Sequence, residues 1–208
     1  MRGLHVVIGL GAAAALASPA AAASRTRDYA ACVARVRPAA ADRLLRADDA
    51  EEAGRAYKVA ANNDYCFSRT IGTSDYQDTE AGLSIGELRG MFAEQTIMRD
   101  RGFAAPVPLP LSQSYDRPWF AGTGRGPAVD EMAACMADTD PQDIVGLLRT
   151  GAGSWDEKAW MGSLPTHLSR CLRAGVRLDA TPEALRAALA DALYQRVHRP
   201  QAVAGDRR

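Results

Sequence analysis

The chain has 208 residues, with 25 Lys and Arg against 25 Asp and Glu, so its formal charge is zero. That balance argues against general nucleic-acid binding, which needs a basic surface. Aromatic residues make up only 6% and Ala is abundant, so any core must be built from small and aliphatic side chains.

The first residues, "MRGLHVVIGLGAAAALASPAAAAS", have the three parts of a secretory signal. A charged start at Arg2 precedes an apolar stretch from Val6 to Leu16, then a small-residue run ending Ala21-Ala22-Ala23. The apolar run is shorter than the ~20 residues an ordinary membrane span needs, and no stop-transfer segment follows. No Cys follows the small residues, which argues against a lipid anchor. The reading is a signal peptide over 1–23, a mature chain starting near Ser24, and a periplasmic or secreted destination. Loss of Arg2 leaves 24 Lys and Arg against 25 acids. No later segment has the pattern of a basic amphipathic membrane helix, so no membrane partner is expected after cleavage.

"AACVARVRPAAADRLLR", Ala30 to Arg46, returns as "AACMADTDPQDIVGLLR", Ala133 to Arg149. With Cys32 set on Cys135, Pro38 matches Pro141 and Leu44-Leu45-Arg46 matches Leu147-Leu148-Arg149 without a gap. Cys66 then matches Cys171 if the second copy carries two extra residues, and "ELRGMFAE" (Glu87 to Glu94) matches "ALRAALAD" (Ala184 to Asp191). Cys, Pro, Leu-Leu-Arg and a second Cys in one order predict an internal duplication. Its period is too long for a ~34-residue helical-hairpin repeat. The expected organisation is unit 1 over 24–98, a Pro/Gly-rich linker over 99–127, unit 2 over 128–198 and a disordered tail over 199–208.

The local grammar is helical. Asp140-Pro141 and Thr181-Pro182 each set a capping side chain before a proline at the first helical position. Ser84 with Glu87, and Ser154 with Glu157, read as capping boxes. Leu185, Leu189, Leu193 and Val197 fall on one stripe beside Ala188 and Ala192; Ile85, Leu88, Met91 and Phe92 do the same in the first copy. Pro165 predicts a break or kink between Ser154 and Ala174. "NNDY", Asn62 to Tyr65, ends a helix, and Trp155 and Trp160, near helix starts, are expected to cover the core. No sustained period-two alternation occurs, although short pairing around Val107–Leu111 or Val176–Leu178 stays open. The fold class is therefore all-α: two duplicated, disulfide-stapled helical units packed into one pseudo-symmetric body. Residues 28–98 should superpose on 131–197, with Leu88 and Phe92 facing Leu185 and Leu189.

Four cysteines in an exported chain read as two disulfides, and spacing alone allows three pairings. The duplication chooses Cys32 with Cys66 and Cys135 with Cys171, each tying the first helix of a copy to the end of its third. A ~35-residue loop closed this way stabilises by roughly 3–4 kcal/mol on the chain-entropy account. There is no C-x-x-C, C-x-x-C-H or H-E-x-x-H, so zinc and c-type haem signatures are missing and no cofactor is expected. His167 and Cys171, four apart, could share a helix face as metal ligands or as a catalytic pair; a disulfide Cys beside an incidental His is the plainer reading.

The run "C…P…LLR", a second Cys, then "ALRAALADALY" resembles a group of small exported alphaproteobacterial proteins with two cysteine pairs and no assigned activity. The resemblance covers both copies on sparse positions. It implies export, helices and within-copy disulfides, and no chemistry. The first copy departs from that pattern between Cys66 and Ser84.

Two segments have no counterpart in the repeat: "FSRTIGTSDYQDTEAG" after Cys66, and the linker Arg99 to Pro127, which holds five of the eleven prolines. "APVPLPL" favours extended, polyproline-like geometry. Trp119-Phe120 is read first as an anchor of the linker against the helices. Together with Tyr76, it is read second as a candidate binding surface. Asp75, Asp78 and Glu80 lack the order of a calcium loop and read as a solvated acidic loop. "GTGRGP" lacks the Lys-Ser/Thr of a phosphate loop. The functional expectation is a non-enzymatic binding module with a protein or small-molecule partner. The alternative is a periplasmic hydrolase using His167 with Asp156 or Glu157.

Overall fold

A computed structural model describes residues 19–70, 83–168, 170–172 and 175–199. Helices dominate, and there is no strand among the described residues, so neither Val107–Leu111 nor Val176–Leu178 forms β structure. In chain order the helices are α1 (Pro19–Val36), α2 (Pro38–Arg46), α3 (Ala50–Ala61), α4 (Asp64–Thr70) and α5 (Ile85–Arg99). A five-residue 3-10 helix (Pro118–Gly122) follows, then α6 (Pro127–Thr139), α7 (Pro141–Arg149), α8 (Trp155–Leu168) and α9 (Pro182–His198). Residues 1–18 of the expected signal segment, Tyr76, the acidic run Asp75, Asp78 and Glu80, and the tail after Arg199 lie outside the described residues, while residues 19–23 form the start of α1.

Helix starts follow the local chemistry with two exceptions. Ser84 and Glu87 close a full capping box on α5: Glu87 N–H donates to Ser84 Oγ at 3.1 Å, and Ser84 N–H to Glu87 Oε2 at 2.8 Å. Thr181 caps α9 by accepting from Ala184 N–H, and Asp49 caps α3 by accepting from Glu52 N–H. At α8 only half of the box forms, because the Glu157 carboxylate accepts from Gly153 N–H instead of Ser154 N–H. Asp140 does not cap α7; its carboxylate accepts from Thr139 Oγ1 at 2.6 Å and from Arg170 at 3.5 Å. Asn62 ends α3, and Asn63 Oδ1 accepts Cys66 N–H to start α4, so "NNDY" separates two helices.

Pro165 does not break α8, which runs through it to Leu168. The following turn is held by Cys171 N–H to Leu168 O at 2.8 Å.

The two disulfides are Cys32–Cys66 and Cys135–Cys171, with Cα separations of 5.6 and 5.5 Å. Cys66 lies in α4, so the first bond joins α1 to a fourth helix and not to the end of the third. The second joins α6 to the turn after α8.

α5 and α9 are the central helices. Leu88–Glu94 and Leu185–Gln195 are buried without interruption, although each helix reads as one-sided in sequence. The two helices cross where Gly90 meets the backbone of Ala187: a Cβ built on Gly90 would lie 2.2 Å from Ala187 O. Leu88 and Phe92 sit two positions either side of Gly90, which is about 200° round the helix. The same holds for Leu185 and Leu189 around Ala187. The expected contact between leucine stripes is thus replaced by a contact between small residues, and the leucines point the other way. Close backbone approach is possible only where side chains are minimal.

The linker is fastened along its length. Trp119 and Tyr115 are buried, and Gly122 packs so tightly on Ala47 O that a Cβ would come within 2.4 Å of it. Leu109 N–H donates to Asp138 O at 2.7 Å.

Candidate functional site

Among the described residues, two clusters of buried arginines and carboxyl groups flank the α5–α9 crossing. In one, Arg89 Nε donates to Asp191 Oδ2 at 2.9 Å, both side chains being fully buried. Arg125 from the linker bridges Asp191 and Asp130, at 3.1 Å to each. In the other, Arg186 makes a two-point contact with Glu94, at 3.1 and 2.8 Å, and reaches Glu157 at 2.9 Å. Arg27 from α1 completes it, 3.3 Å from Glu157 and 3.8 Å from Glu94. Each cluster sets two guanidinium groups against two carboxylates, so each is neutral. That balance lets charges sit in a dry interior.

The same arginines also satisfy helix ends. Arg89 Nη1 donates to Leu44 O and Ala47 O at the end of α2. Arg186 donates to Leu147 O, Leu148 O and Thr150 O at the end of α7. Leu44 O and Leu147 O also accept the cap N–H groups of Ala47 and Thr150, and the arginines add a second donor to each. Gln195 Nε2 donates to Leu45 O and Asp191 Oδ1; both are acceptors, which forces the orientation of its amide. The Trp119 ring lies 6.0 Å from the Arg89 guanidinium carbon. Trp119 is buried in the core, with the Arg89 guanidinium over its ring, and Phe120 is half-buried at an edge-to-face angle to it.

Burial pushes the Asp130 carboxyl above its ordinary value, against the opposing pull of Arg125 and Thr123. An acid whose folded-state value is raised holds its proton more tightly when folded. Its stabilising contribution is complete below the unfolded value and is lost as pH rises through the folded one. Asp130→Asn keeps an acceptor for Thr123 Oγ1, now 2.6 Å away. Relative to this variant, wild-type stability should fall as pH rises from about 4 to about 7. Urea unfolding of both proteins at the two pH values checks this, and an unchanged difference would contradict it.

The carboxylates expected to meet His167 do not. Glu157 is turned into the buried cluster, and Asp156 is exposed on α8. His167 meets Asp143 of α7 instead, Nδ1 to Oδ2 at 2.8 Å, with both side chains about one-third exposed. Its ring stacks on Trp160 at 6.0 Å. No local signal marks this pair, because the partners lie on different helices. A hydrolase would need a nucleophile at the other ring nitrogen. All four cysteines are in disulfides, and Ser163, one turn earlier on α8, donates to Trp160 O. Cys171 is likewise spent as a ligand beside His167.

Apolar exposure lies elsewhere. Trp155 is 80% exposed, a correction to its expected place on the core: it falls half a turn away from Leu164, whereas Trp160 shares Leu164's face. Val107 (80%), Leu109 (41%) and Leu111 (57%) project from the linker. No helix among the described residues is long and apolar enough to cross a membrane, and the two disulfides fit an oxidising compartment. Comparison with protein-family models, curated proteins and solved structures finds no match to this chain.

Proposed function

We propose that this chain is an exported, non-enzymatic helical scaffold, built by internal duplication, that holds out its linker as a binding strap for a protein partner. The signal-like start and the disulfides support export, with cleavage after Ala23. The duplication is supported by matched roles at matched positions. Arg89 and Arg186 each bond carbonyls at the end of the second helix of their own copy and a carboxylate of the other copy. Arg99 and Arg196 each bond carbonyls near the end of the first helix, Ala34 O and Ala137 O. Gly90 and Ala187, also matched in the alignment, meet at the crossing.

The observation that carries the binding reading is the strap. Val107, Leu109 and Leu111 expose large apolar side chains on a segment that is nevertheless pinned. Arg196 donates to Val107 O, and Leu109 N–H to Asp138 O. The segment thus sets three exposed apolar side chains within five residues. Apolar side chains on a pinned backbone lose little conformational entropy when a partner covers them. A photo-crosslinking residue at position 111, in cells exporting the protein, should give a discrete protein adduct; the same residue at exposed Arg43 should not. Adducts from both positions, or from neither, would defeat the reading.

The hydrolase alternative rests on the His167–Asp143 pair. The same experiment separates the two: His167→Ala leaves crosslinking at 111 intact if the strap is the site.

A further inference from the structure

The two disulfides differ in exposure and in what they hold. Cys32, Cys66 and Cys135 are 3%, 0% and 0% exposed, while Cys171 is only partly buried. Cys171 follows α8, the least embedded of the longer helices. Among its described apolar side chains only Leu164 and Leu168 are buried, with Trp160 and Met161 partly so. Near its start α8 is tied by Glu157 to Arg186 and Arg27. Its other end is tied by the partly exposed His167–Asp143 pair and by the disulfide. By contrast, α3 buries Ala53, Ala56 and Ala60 on its inner face, and the first disulfide joins α1 to α4 without involving it.

We propose that Cys135–Cys171 is a reducible latch on α8, opened by thiol–disulfide exchange with an external dithiol reductant while Cys32–Cys66 stays closed. Attack is directed by access. The incoming thiolate reaches Cys171 Sγ, because Cys135 is enclosed in α6. A bond forms between the reductant sulfur and Cys171, the Cys135–Cys171 bond breaks, and Cys135 leaves as a thiolate that takes a proton from solvent. The second thiol of the reductant then attacks the reductant's own sulfur in the mixed disulfide. This releases Cys171 as a thiolate, which is protonated, and the reductant becomes a disulfide. Thr139 Oγ1 lies 3.8 Å from Cys171 Sγ, close enough to donate to the thiolate as it forms. Two electrons pass to the protein, and the C-terminal half of α8 loses its covalent tie. Leu164, Leu168 and the apolar surface beneath them then become accessible, while α5 and α9 remain locked by their ion pairs.

The test uses the full chain and dithiothreitol. After graded reduction and thiol trapping, peptide mapping should find Cys135 and Cys171 labelled at reductant concentrations that leave Cys32 and Cys66 unlabelled. Hydrogen exchange in the same samples should rise over 155–172 and stay unchanged over 85–99 and 182–198. Opening of Cys32–Cys66 first, or of both together, overturns the latch, as does unchanged exchange in α8 once the second bond is open. The double variant Cys135→Ser, Cys171→Ser should show the same faster exchange in α8 without reductant. If it does not fold, the bond is a structural staple and the latch is again overturned.

Discussion

Replacing Arg186 by Met is expected to cost about 3–5 kcal/mol, the range for breaking a buried ion pair from one side. The loss has two parts. Glu94 and Glu157 keep only Arg27, whose guanidinium burial already pulls below its ordinary value, so two carboxylates share one cation in a dry site. Leu148 O and Thr150 O at the end of α7 lose the guanidinium donor at the same time, while Leu147 O keeps Thr150 N–H. Arg186→Lys should recover little, because a single ammonium cannot span Glu94 with two parallel bonds and reach three carbonyls as well. Urea unfolding reads the effect as a lower midpoint with an unchanged slope. Replacing Arg186 and Glu94 together by Met and Leu should restore part of the loss, since Arg27 then stays paired with Glu157 and no charge is left uncompensated. A cost for Arg186→Met below about 1 kcal/mol, the scale of exposed pairs, would mean that water reaches the cluster.

Much of the framework was legible in sequence because it is written in short-range chemistry. Ser84 with Glu87 and Thr181 before Pro182 announce the two central helices within four residues. The disulfide pairing followed from the repeat, and Trp119 served as the expected anchor of the linker. What escaped depends on contacts far apart in the chain. Arg186 meets Glu94 across 92 positions and Arg89 meets Asp191 across 102, so a 3.6-residue pattern sees those side chains only as the polar side of an amphipathic helix. Burial on all sides reversed that reading. Asp140 failed as a cap because Thr139 and Arg170 compete for its carboxylate. Asp143 had no reason to be singled out until α7 and α8 were seen side by side. The exposure of Trp155, by contrast, was available from helix phase alone, nine residues before Leu164.

Gly90→Val should be the most damaging single apolar change, costing about 3 kcal/mol or more, because the added atoms meet backbone and not a yielding side chain. An ideal Cβ at position 90 lies 2.2 Å from Ala187 O, 2.4 Å from its Cα and 2.5 Å from its carbonyl carbon. Helix propensity acts the other way, since leaving Gly gains roughly 0.5–1 kcal/mol in a helix interior, but it is outweighed. Even Gly90→Ala should destabilise for this reason. Ala187→Gly should not rescue either variant, because all three clashing atoms belong to the Ala187 backbone and survive the substitution. A rescue would show that the helices meet through side chains and would refute the crossing geometry. Moving α5 and α9 apart also lengthens the Arg89–Asp191 and Arg186–Glu94 contacts on either side of the crossing, at present 2.9 and 2.8 Å. The costs of Gly90→Val and Arg186→Met should therefore not add. In a double-mutant cycle the pair should cost less than the sum, by at least about 0.5 kcal/mol, because the first change has already weakened what the second removes.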